Sequence, residues 1–195
     1  MEKKFKILII VALIIIIGLG SYFAYTSYAN AEFDKNLKEA HDYSKMRVDK
    51  SDNIQSLPDR PNINQTNDAI NSIKKIDKAL DEEINSLEKA KNYAQTPEEK
   101  KYVDYQLKLK NNYKKWYEKY NNGLNNYKDV INGLKPDDIG LNEANKINKE
   151  LNELNKESEK IIDNIRELLI KNPQLKDKLE SFNFEDSYIG ETNTV

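Results

Sequence analysis

Residues 138–171 read DIGLNEANKINKELNELNKESEKIIDNIRELLIK, and the spacing inside this stretch decides the fold. Ala144, Ile147, Leu151, Leu154, Ser158, Ile161, Ile165 and Leu168 follow one another at alternating steps of three and four residues. That period places one narrow apolar stripe on one side of a helix. At 1.5 Å per residue the helix is about 50 Å long. Asn145, Asn148, Asn152 and Asn155 form a polar stripe beside it. A helix with so thin a stripe buries it only against other helices of similar length.

Working outward, the chain supplies those helices. Leu109, Trp116 and Val130 alternate with Tyr113, Tyr120, Tyr127 and Leu134 in a heptad register, which predicts a helix over 97–134. Thr96-Pro97-Glu98-Glu99 marks its start: Thr96 caps the free N–H groups, Pro97 suits the first turn and Glu99 completes a capping box. Gly123 weakens this helix without ending it, and Gly133 and Pro136 terminate it. Ile70, Ile73, Leu80, Ile84 and Leu87, with Ile76 beside them, predict a helix over 66–94. The joint at Thr96 is so short that the two flanking helices must run antiparallel. Phe33, Leu37, Ala40 and Ser44 predict a helix over 32–48, continuous with the segment before it because no Pro or Gly lies between Ser21 and Asp49. Pro58 and Pro61 place a loop at 51–65. A short last helix is expected from Pro173 to Leu179, and a loosely held tail over 183–195.

The amino-terminal segment 7–31 reads ILIIVALIIIIGLGSYFAYTSYANA. Lys3, Lys4 and Lys6 precede it, and no further Lys or Arg occurs before Lys35. The positive-inside rule keeps 1–6 in the cytoplasm and sends everything after Tyr25 outward. Residues 7–25 carry no charge and approach the roughly 20 residues a spanning helix needs. Tyr22, Phe23, Tyr25 and Tyr28 stand at the outer end, where amphipathic rings favour the headgroup layer. The competing reading is a secretory signal cut after Ala31, at Ala29-Asn30-Ala31, with Ser27-Tyr28-Ala29 as a second match. The stretch from Gly20 to Ala31 is long for a cleavage region, which favours the retained anchor. With six residues ahead of the span, no cytoplasmic output domain is expected. Both readings place residue 32 onward outside the cytoplasm. The expected fold is therefore all-α: a single transmembrane or signal-anchor helix at 7–25, then an elongated, coiled-coil-like antiparallel bundle of three to four helices over 26–182. The heptads also allow pairing into a homodimer.

Composition narrows the chemistry. The chain has 195 residues, no Cys and a net charge of −2. A disulfide framework, a thiolate metal site, a Cys nucleophile and a lipid-modified Cys are excluded, and no large field draws nucleic acid. The abundance of Lys, Asn, Ile and Tyr reads as AT-rich codon usage. His41 is the only histidine, which excludes two-histidine metal motifs and the di-iron carboxylate bundle. It is expected on a solvated helix surface. Glu82-Glu83, Glu98-Glu99 and Asp137-Asp138 are adjacent pairs, which do not face each other on a helix. Asp49–Asn53 lacks the central Gly of a calcium loop, and Arg60 stands where its bidentate Glu belongs. No Gly-rich phosphate loop is present. Asn64-Gln65-Thr66 matches a glycosylation acceptor in the expected loop, and the Thr192–Val195 terminus departs from carboxylate-capture patterns.

The most distinctive run is YQLKLKNNYKKWYEKYNNGLNNYK, residues 105–128. Aromatics interleaved with Lys suit a stacking platform. Yet Tyr113, Tyr120 and Tyr127 fall seven apart on the expected buried face, with Trp116 beside them and Lys114, Lys115 and Lys119 outward. Core packing is the favoured expectation. The alternative is a binding surface made by Tyr105, Trp116, Tyr117 and Tyr120. No catalytic residue, cofactor or metal is expected. A lone span carrying an external bundle is an architecture that carries no function by itself. The expected function is thus non-enzymatic: an anchored extracytoplasmic bundle acting through protein–protein contacts in the cell envelope. The alternative is a secreted or anchored binding module for envelope glycan or a small solute.

Overall fold

The structure is a computed structural model. It describes residues 3–58 and 60–181, with side chains from residue 21 onward except at 52, 53, 55 and 59. The described elements are α1 (Lys3–Gln55), α2 (Ile63–Tyr93), α3 (Pro97–Ile131), α4 (Asp137–Lys171) and α5 (Pro173–Glu180), with no strand among the described residues. Helices α1 to α4 pack each on the next in antiparallel order, and α5 folds back on α4. The chain is an all-α bundle, as the stripes require.

The joints are fixed by short-range chemistry. Thr96 and Glu99 form the expected capping box, Glu99 N donating to Thr96 Oγ1 at 3.1 Å and Thr96 N to Glu99 Oε2 at 3.2 Å. At the end of α3, Gly133 adopts a φ of 70°, where a side chain would be strained. Gly133 N donates to Val130 O and Leu134 N to Asp129 O, the paired bonds of a Schellman motif. The helix runs unbroken through Gly123, as the stripe implies.

The loop expected at 51–65 is reduced to 56–62. Helix α1 continues to Gln55 because Ser51 and Ile54 carry its inner face one further turn into the bundle, both buried. Helix α2 begins early because Asn62 and Gln65 make a second capping box, with bonds of 2.9 and 3.0 Å. The Asn64–Thr66 acceptor therefore lies in the first turn of α2 and not in a loop. Thr66 is fully buried, and its hydroxyl donates to Asn62 O at 3.0 Å.

The core divides into two apolar clusters. One collects Phe33 and Leu37 of α1, Leu87 of α2, Val103 and Leu109 of α3, Ile161 and Ile165 of α4, and Leu175 and Leu179 of α5. The other, at the far end, joins Ile54 of α1, Ile73, Ile76 and Leu80 of α2, and Leu124 of α3. Each fully buried aliphatic side chain contributes about 1.5–3 kcal/mol. Helix α5 closes the first cluster. Lys178 ties it down, with Nζ 2.8 Å from Glu99, 3.0 Å from Asp34 and 4.6 Å from the centre of the Phe33 ring.

Among the described residues no helix is long and apolar enough to cross a membrane. The described residues lend no support to a spanning helix, and the 7–20 part of the expected span lies outside the described side chains. The tail at 183–195 lies outside the described residues as well.

Two glycines should respond oppositely to substitution. A Cβ on Gly140 would stand 2.2 Å from Val130 Cγ2, whereas one on Gly123 would make an ordinary 3.6 Å contact with Ile147. Urea unfolding should show Gly140→Ala less stable by about 1–3 kcal/mol. Gly123→Ala should be neutral or more stable, by up to about 1 kcal/mol.

Candidate functional site: a buried charge layer and an aromatic groove

On α1 the inward positions Phe33, Leu37, Ala40, Ser44, Arg47, Ser51 and Ile54 keep the three-four spacing, and the apolar residues give way to polar ones at the centre. On α2 the positions Ile76, Leu80, Glu83 and Leu87 do the same, all buried. The substituted positions meet between the two apolar clusters. Glu83 is 2% exposed there and accepts from Lys110 of α3 at 2.8 Å and from Arg47 Nε of α1 at 3.4 Å. Arg47 also donates to Ser44 Oγ at 3.2 Å. Its guanidinium lies 5.0 Å from the centre of the Tyr113 ring, and the Lys110 ammonium lies 5.5 Å from the same ring. One carboxylate thus joins three helices and offsets two cations, Lys110 buried and Arg47 half-buried, with an aromatic face beside both.

His41 borders this layer. It is buried and not solvated, because it lies four residues after Leu37 and continues the inner face of α1. Burial pushes its imidazole below the usual 6.5. Lys45 and Lys110 add to that shift, and Asp42 and Glu83 oppose it. Glu82 and Glu83 point apart, as adjacent residues on a helix do: the fold turns Glu83 inward and leaves Glu82 half-buried.

The four aromatic candidates do not form one surface. Tyr105 packs half-buried on the first apolar cluster, with Lys101 and Lys108 flanking its ring at 5.8 and 5.7 Å. Trp116, Tyr117 and Tyr120 lie together further along α3. The Trp116 ring stacks on Tyr120 with centroids 5.1 Å apart and planes at 13°, and meets Tyr117 edge-on at 5.2 Å. All three are half-buried, and the two tyrosines lean on the second cluster. The heptad tyrosines are therefore half-buried and not sealed in a dry seam. A long ring fills the seam while its hydroxyl reaches the edge. Tyr127 uses that reach to donate to Pro61 O at 2.9 Å.

Beside this stack a groove of about 420 Å³ opens between the α1–α2 loop, α3 and α4. Pro58, Pro61, Tyr120, Tyr127, Ile147 and Leu151 wall it, and Asn148 supplies a polar group. Burial raises the pKa of the Tyr120 hydroxyl above 10.0. Among the described residues no cluster of three or more His, Asp or Glu is placed to hold a metal ion. The arrangement is suited to holding an apolar group by contact and a few hydrogen bonds.

The geometry defines a class, an antiparallel helical bundle with an ion triad in its core. No known family, curated protein or solved structure matches the chain.

The triad yields a stability test. Glu83→Gln removes the carboxylate that Lys110 and Arg47 share in the interior, and denaturant unfolding should show a loss of about 3–5 kcal/mol. Replacing all three together, as Glu83→Leu, Lys110→Met and Arg47→Met, should recover most of that loss or exceed wild-type stability.

Proposed function

We propose that the chain is a membrane-anchored extracytoplasmic bundle that acts through protein–protein contacts in the cell envelope. The observation that carries this reading is the free stretch of α1. Tyr22, Phe23, Tyr25 and Tyr28 stand 55–68% exposed between the uncharged 7–20 sequence and Phe33, the first fully buried ring. At 100° per residue these rings point around the whole helix and not along one face. A headgroup layer suits Tyr22, Phe23 and Tyr25, while Tyr28 at the bundle end of this stretch also packs on Tyr93 of α2. The eight helical steps from Tyr25 to Phe33 hold the bundle within about 12 Å of that layer.

Retention of the anchor is supported in the same region. Ala29 is fully buried, and the Tyr28 ring meets Tyr93 of α2 edge-on at 5.9 Å. A cut after Ala31 would discard both contacts. The protein-contact reading is supported by Leu134, Ile139 and Leu141, which stand 47–76% exposed around the α3–α4 turn. Because the chain has no Cys, single cysteines report topology cleanly. On intact cells an impermeant maleimide should label Lys149→Cys and spare Lys4→Cys, and the opposite pattern would overturn the topology. A photo-crosslinker at Leu141 should capture a protein, and its absence from any protein adduct would remove the contact role.

A second reading, a binding module for envelope glycan or a small solute, is favoured by one observation: Tyr120 opens onto the groove. Trp116 decides between the two. Under the first reading its emission is blue, protected from quencher and unmoved by glycan fragments. Glycan-dependent quenching would select the second.

A further inference from the structure

We propose, resting on the protein-contact reading above, that the partner is a second copy of this chain, and that the two α4 helices pair in the same direction along a seam of Leu141, Asn145, Asn148, Asn152 and Asn155. These residues follow one another at steps of four, three, four and three, a second heptad stripe beside the apolar one. Leu141 is 63% exposed, and all four asparagines are exposed. From 143 to 158 every other exposed residue of α4 is charged, Lys146, Lys149, Glu153 and Lys156 among them. A flank turned only to water would mix the two kinds. A line free of charge beside an apolar stripe has the composition of the centre of a contact surface.

The chemistry of the stripe selects the occupant. An asparagine amide carries both a donor and an acceptor, so it pairs with its own twin, and at a heptad seam position it sets the register of like helices. This bundle already joins helices through amides. Asn112 of α3 donates to Leu154 O at 2.7 Å and to Ser158 Oγ at 2.8 Å, and Asn126 donates to Gly140 O at 2.8 Å. Among the described residues the four α4 amides of the stripe make no such bond. Of the other long helices α4 packs along α3, and Asn148 stands at the mouth of the groove on its open side. Chains anchored in one membrane hold equal residues at equal height, so a two-fold axis along the bundle brings each asparagine onto its twin. The seam is about 21 Å long and holds one leucine, which makes the pair weak in solution and dependent on confinement in the membrane.

The test is a cysteine scan of the full chain in intact cells, which the lack of native Cys allows. Under mild oxidation Asn145→Cys, Asn148→Cys, Asn152→Cys and Asn155→Cys should each link two differently tagged copies of the chain. Their yield should exceed that of Lys146→Cys, Lys149→Cys, Glu153→Cys and Lys156→Cys by about fivefold or more, because only seam positions bring twin Cα atoms within bridging reach. In the Asn145→Cys background, Asn148→Glu with Asn152→Glu should cut linking about tenfold by setting like charges together, and both sites are exposed, so the bundle is kept. Asn148→Leu with Asn152→Leu should raise it. Equal linking all round the helix, linking only between unlike positions such as 145 with 155, or linking indifferent to the glutamate pair would each overturn the proposal. The photo-crosslinker at Leu141 separates this failure from that of the reading beneath it. Capture of a different protein there, with the seam cysteines unlinked, leaves protein contact standing and removes the second copy. No adduct and no linking removes both.

Discussion

The buried carboxylate of Glu83 is the constraint on which the rest of the bundle depends. Apolar stripes of regular three-four spacing can slide past one another by a heptad at little cost, because Leu against Ile differs little from Ile against Leu. Glu83 removes that freedom. It has to meet Lys110 on one side and Arg47 on the other, and any slip would part the buried carboxylate from both cations. The layer thus sets the register of three helices at once. The apolar clusters on either side supply most of the burial and little of the specificity.

Much of the helical layout was legible in the sequence, and the reasons differ element by element. The α4 stripe from Ile147 to Leu168 and the Thr96–Glu99 box rest on local periodicity and capping, which need no knowledge of the fold. The ends of α1 and α2 were less legible. Asn62 and Gln65 sit among many Asn and Gln residues, so a true cap was indistinguishable from composition, and the prolines at 58 and 61 suggested a longer break. The signal for the buried layer was present but disguised. Continuing the α1 spacing past Ala40 lands on Ser44 and Arg47, and continuing the α2 spacing past Leu80 lands on Glu83. The stripe on α1 was followed only as far as Ser44, one step short of Arg47, and only three helices brought together show that the charges compensate.

The aromatic run of α3 was ambiguous for a physical reason. A tyrosine is both a large apolar plate and a hydrogen-bonding tip, and a heptad seam at the edge of a thin bundle uses both properties. Tyr127 spends its hydroxyl on Pro61 O, and Tyr120 and Trp116 stack on each other. Tyr105 stands apart with the other cluster, so no single platform spans the run.

The unbroken α1 also works as a ruler. From Ser21 to Gln55 it rises about 50 Å without a kink-forming residue. Whatever holds its lower end therefore fixes the height at which the prolines of the 56–62 loop and the groove beside them are presented. The reach of the distal surface is written into the length of one helix. It can change across related chains only in whole heptads, about 10 Å at a time, if the inward face is to be kept.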